Sequence, residues 1–102
     1  MPSRHDRDRA AFYRALGDPL RVALLDRLAR KDLTAGALAD AVGARPSAVS
    51  NALARLQRDG LVERAREGRA VRVRLRHPEL ARFLRRSDAM VLLAAASRGR
   101  RR

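Results

Sequence analysis

At Gly60 the spacing of apolar residues changes. Before it they recur every three or four positions, as in helices; after it they alternate. In GRAVRVRLR, residues 68–76, Val71, Val73 and Leu75 stand between Arg72, Arg74 and Arg76. A period of two puts the apolar side chains on one face of a strand and the arginines on the other. Residues 61–67 alternate as well, and Glu67, Gly68 and Arg69 make the turn between the two runs. That pattern is a hairpin.

Four helices precede it. Asp6 can cap a first helix to about Leu16, with Ala11, Phe12, Ala15 and Leu16 on one stripe and Gly17 at its end. Asp18 and Pro19 read as the N-cap and first position of a second helix reaching about Arg30. Leu33 is briefly extended, and Thr34 caps a short helix through Val42. Pro46 opens the next, which runs to Arg58 and stops at Asp59 and Gly60. The three- to four-residue turn between these last two is a helix-turn-helix spacing. After the hairpin, His77 and Pro78 restart a helix to about Ala96. The class is therefore mainly α with a β-hairpin, in the order ααααββα, a winged helix-turn-helix. Residues 1–97 form one domain, and residues 98–102, four arginines and a glycine, are expected to be a basic disordered tail.

Charge narrows the partner. The 102 residues carry a formal +13, from 24 basic and 11 acidic side chains, and Lys31 is the single lysine. A GC-rich genome favours arginine codons over lysine codons, which accounts for the kind of base but not for the excess. A pI near 11.9 points to a polyanion, nucleic acid ahead of an anionic membrane. Residues 44–76 hold nine arginines against Asp59, Glu63 and Glu67. With no cysteine there is no disulfide, thiolate ligand or cysteine nucleophile. The apolar run at residues 89–96 is too short to span a bilayer, and the charged N-terminus is not a secretory signal, so a cytoplasmic location is expected.

The helix after Pro46 carries the chemistry. Val49, Ala52, Leu53 and Leu56 form its buried stripe, while Ser47, Ala48, Ser50, Asn51 and Ala54 lie opposite, short or polar. A major groove admits a helix whose leading side chains permit close approach; serine can bond phosphate or base, and asparagine can pair with adenine. Arg45 at the helix entry and Arg55 a turn further on would reach phosphate or guanine. At the hairpin tip Arg66 and Arg69 are the expected backbone or minor-groove contacts. For Arg72, Arg74 and Arg76 a solvated strand face competes with contact.

Several segments taken together resemble the ArsR-type winged-helix transcriptional regulators: ALGDPLRVALL at 15–25, Leu38-Ala39, AVSNAL at 48–53, GLV at 60–62 and REGR at 66–69. The likeness covers about residues 10–85. It implies a homodimer joined by the first and last helices, and Phe12, Leu16, Phe83, Leu84, Val91 and Ala94 fit that role. A two-fold dimer presents two recognition helices to an inverted-repeat operator on double-stranded DNA. Members of the family typically repress transcription and release DNA when an effector, often a metal ion, binds. This chain departs from the metal pattern. In place of the family's ELCVCDLC it has DLTAGALA at 32–39, with Thr34, Gly36 and Ala39 at the thiolate positions, and its last helix offers Asp88 without a histidine partner beyond His77. A weak nickel or zinc site using His5 or His77 is conceivable; solvated surface residues are the competing account. Where the family's recognition helix usually has a basic residue followed by histidine, this one has Asn51 and Ala52, so the operator sequence does not carry over.

The expected function is a dimeric, sequence-specific DNA-binding regulator, a repressor on the family pattern, with its effector unknown and no cofactor called for. The alternative is a winged-helix module binding RNA or protein without operator specificity. No paired carboxylates, activated nucleophile or glycine-rich phosphate loop stands at a workable spacing, so no enzyme is expected.

Overall fold

Ser3, rather than Asp6, caps the first helix. In the computed structural model, which describes residues 1–99, the Ser3 hydroxyl accepts from the Asp6 amide and the Asp6 carboxylate accepts from the Ser3 amide, both at 3.0 Å. Asp6 thus closes a reciprocal capping box from the third helical position. The helix it opens, α1, spans Arg4–Ala15. α2 covers Pro19–Leu28, capped by Asp18 as expected but two residues shorter than its apolar spacing suggests. β1 is Leu33–Thr34, α3 is Ala35–Val42 and α4 is Pro46–Arg58. β2 covers Val62–Glu67, β3 covers Ala70–Leu75, and α5 covers Glu79–Gly99.

The sheet has three strands rather than two. Its order is β1-β3-β2, all antiparallel, with Leu33 opposite Val73 and Thr34 opposite Arg72. Thr34 also caps α3, its hydroxyl accepting from the Ala37 amide at 3.1 Å. Gly43 at φ 68 and Gly60 at φ 82 close α3 and α4 in the left-handed conformation that glycine adopts without a Cβ penalty. At the second, the Leu61 amide donates back to the Leu56 carbonyl, and both side chains are buried.

The core joins α2, α3, α4, the sheet and the start of α5. Leu24, Leu25, Leu38, Leu53, Leu56, Val49, Val62 and Val73 are the largest side chains sealed from solvent. Leu61 and Val73 of the expected docking set are buried, and Val71 and Leu75 pack against them from the edge. Leu84, expected between copies, instead belongs to this core at 9% exposure. It follows Leu80 by one helical turn on the face that meets α2. Arg98 and Gly99 continue α5, so the helix runs into the segment expected to be a tail; residues 100–102 lie outside the described part.

Candidate nucleic-acid interface

The helix-turn-helix is α3, the turn of Gly43, Ala44 and Arg45, and α4. Val49, Ala52, Leu53 and Leu56 hold α4 down, leaving the opposite stripe facing away from the body. Ser47, Ser50, Asn51 and Ala54 are exposed on it, and Ala48 is half-buried at its margin. Ser47, Asn51, Ala54 and Arg58 follow at steps of four, three and four, one row along the outward face. Arg58 therefore continues the row at its far end, about 16 Å from Ser47 at 1.5 Å per residue. That spacing was legible in the sequence.

The entry to α4 differs from those of the three helices before it. Ser3, Asp18 and Thr34 each place a side-chain oxygen on a free amide, whereas Arg45 makes no such bond. Pro46 has no amide proton to satisfy. The remaining first-turn amides, which follow the exposed Arg45 in the chain, favour an external anion.

The arginines sort into two groups. Arg45, Arg58, Arg66 and Arg69 are exposed and make no side-chain hydrogen bond or ion pair among the described residues. Arg55 is half-buried, with Nε 2.8 Å from the Asp59 carboxylate one turn along its own helix. Arg74 lies across the ladder from Glu63 at 2.7 Å, Arg76 reaches the same carboxylate at 3.7 Å, and Arg72 meets Glu67 at 3.4 Å. So the arginine face of β3 looks first at glutamates on the neighbouring strand.

Register explains the rest. Val62, Arg64 and Arg66 stand opposite Leu75, Val73 and Val71 and share the face that packs on the body. Along β2 that face changes from buried Val62 through half-buried Arg64 to exposed Arg66, as the hairpin leaves the core behind. Arg64 donates through Nε to the Gln57 side-chain oxygen, tying the wing to the last turn of α4. Its partner is set by tertiary packing, so no sequence pattern announces it.

A second surface lies away from α4. Phe12 of α1 packs edge-on against Phe83 of α5 at 5.2 Å between ring centres, and Tyr13 sits 5.5 Å from Phe12. These are all the phenylalanine and tyrosine rings in the chain, which has no tryptophan. Leu16, at the end of α1, is half-buried against the core. Farther along α5, Met90, Val91, Leu92 and Leu93 are each about 60–70% exposed, and Ala94 follows them on open surface. His5 and His77 are exposed, and among the described residues no three His, Asp or Glu side chains come together to hold a metal ion. None of the described helices is long and apolar enough to cross a membrane.

Residues 18–72, more than half of the chain, match the MarR family. NolR, a nodulation protein of Rhizobium meliloti, is 36% identical over 62 residues, which are 61% of this chain and 51% of NolR. Thus the chain aligns with only about half of that protein's length. Rv0081, an HTH-type transcriptional regulator of Mycobacterium tuberculosis, is 32% identical over 77 residues, 74% of this chain and 68% of its own. Its crystal structure superposes with a TM-score of 0.83 at 26% identity, covering 95% of this chain and 98% of that one. Mb0332 of Mycobacterium bovis, described as a homodimeric winged helix-turn-helix DNA-binding domain and a possible ArsR-family regulator, gives a TM-score of 0.71 at 30% identity. That overlap takes in 90% of this chain and 82% of that fragment. By the residues matched, the fold and the relatives, this chain belongs to the MarR family of winged-helix transcriptional regulators.

Proposed function

We propose that the chain acts as a homodimeric, ArsR-type repressor that binds an inverted-repeat operator through α4 and grips the flanking backbone with the wing. One observation carries the reading. α4 turns a row of short side chains outward from an uncapped N-terminus, with unpaired arginines at both of its ends and at the hairpin tip. Ser47, Ser50 and Asn51 then read base edges, and Arg45, Arg58, Arg66 and Arg69 hold phosphates. Arg55 joins them by exchanging Asp59 for phosphate. The homodimeric, DNA-binding character of Mb0332 supports this reading, as does the exposed apolar length of α5. A cytoplasmic location goes with it, because a transcriptional operator lies on DNA inside the cell, and so does the lack of an enzymatic role.

Selection of bound sequences from a random duplex pool tests the proposal. An inverted repeat should emerge, and Asn51→Ala should relax one position in each half while leaving non-specific affinity nearly unchanged. Equal binding to RNA and to duplexes of any sequence would favour the RNA-binding alternative. Nickel or zinc, if either is the effector, would have to engage His5 or His77. Calorimetry showing heat with either metal would add that response; no heat would leave the operator reading as it stands.

A further inference from the structure

The segment ALGDPLR stands out in the sequence, yet none of it lies on the DNA-facing side of α4. Its last residue makes three hydrogen bonds, one within the cap of α2 and two that join α2 to α1. The Arg21 amide donates to the Asp18 carboxylate at 3.0 Å, part of the cap of α2. Its side chain turns back the other way, Nε donating to the Ala15 carbonyl at 2.7 Å and Nη2 to the Arg14 carbonyl at 3.0 Å. Both carbonyls belong to the last turn of α1, where a cation is favoured; the Arg14 carbonyl also accepts from the Gly17 amide at 3.1 Å, whereas Arg21 supplies the bond to the Ala15 carbonyl. The planar guanidinium meets two acceptors at once, a geometry that lysine cannot reproduce.

Other anchors of α1 are sparse. Ala15 is its one buried residue, and Phe12 packs only partly against the core. The helix nevertheless carries Phe12 and Tyr13, which with Phe83 make the aromatic corner described above. We infer that Arg21 is a positioning residue for self-association: it clamps the carbonyl end of α1 to the start of α2 and so fixes the direction in which α1 meets a second copy. This rests on the dimer reading above, with α1 and α5 at the interface. The angle of α1 then sets the distance between the two α4 helices, and hence the spacing of half-sites the dimer accepts.

The test uses the full chain carrying Arg21→Gln or Arg21→Lys, with two readouts: the dimer dissociation constant from sedimentation equilibrium, and the half-site spacings recovered from duplex pools. Arg21→Gln should weaken the dimer roughly tenfold and broaden the accepted spacing, with helical circular dichroism retained; Arg21→Lys should fall between it and the parent. A dimer constant within about twofold of the parent and an unchanged spacing would overturn the inference. So would a lower melting temperature with neither readout moved. Should Arg21→Gln fail to fold, Arg21→Lys decides on the same two measurements. Tyr13→Arg separates the inference from the reading beneath it. If that change leaves the dimer intact, the placement of α1 at the interface fails, and with it the premise on which the role of Arg21 rests. If it breaks the dimer while Arg21→Gln does not, only the role of Arg21 is lost.

Discussion

α4 and α5 divide their surfaces in opposite ways. On α4 Val49, Ala52, Leu53 and Leu56 occupy one side and are buried, and the other side is short, polar or cationic. α5 begins like that, with Leu80 and Leu84 against α2, but from Met90 to Leu93 four consecutive large apolar side chains point all round the helix into open surroundings. A helix apolar on every side is ordinarily covered on every side. One chain is therefore enough to settle the apolar side of α4 and leave its polar side open. It is not enough to settle α5, whose length of about 31 Å exceeds what the small core can cover. The difference separates two requirements of the proposed regulator, a polyanion at one surface and a copy of itself at the other.

The contrast can be broken most sharply at Val91. Val91→Asp should weaken self-association about 100-fold or more, because a carboxylate would be buried without a partner, and sedimentation would show monomer; the melting temperature measured for that monomer should stay high. An intact dimer would mean that this part of α5 faces something else. Asn51→Ala comes next, with an expected loss of ~1–3 kcal/mol for the selected operator in gel-shift titration and little change on random duplex. Arg69→Ala should lower affinity for all duplexes alike and reduce the slope of log affinity against log salt by ~0.9. Arg58→Ala should match it; a zero slope change there would shorten the contact row to its first two turns. The smallest effect belongs to Arg74→Ala. Its pair with Glu63 is exposed, so stability should move by ~0–1 kcal/mol in denaturant titration, and the salt slope should stay put.

Much of this arrangement is written locally. The cap at Asp18, the proline opening α4 and the change of period at Gly60 each act within a few residues, which is why the helix order and the outward face of α4 can be read directly. What depends on distant partners is harder. β1 has two residues, too few for any periodicity, and exists because β3 lies beside it. The fate of the β3 arginines is decided by hairpin register, which sets Arg74 across from Glu63 eleven positions earlier. By contrast, Asp59 lies four residues after Arg55, and Leu84 four after Leu80, so both the ion pair and the buried position were open to reading from helical spacing. The capping box at Ser3 escaped for another reason. Serine and aspartate both make good caps, and only the geometry shows which of the two holds the amide.

Thr34 ties two of these parts together. Its backbone belongs to the strand that pairs with β3, while its hydroxyl anchors the first turn of α3. Displacing the hairpin would tug on the very residue that starts the helix-turn-helix, and shifting α3 would pry at the sheet. A duplex held by such a linked pair of grips would come free from both in one cooperative event, so that a small effector acting on either could dislodge the whole molecule from its site.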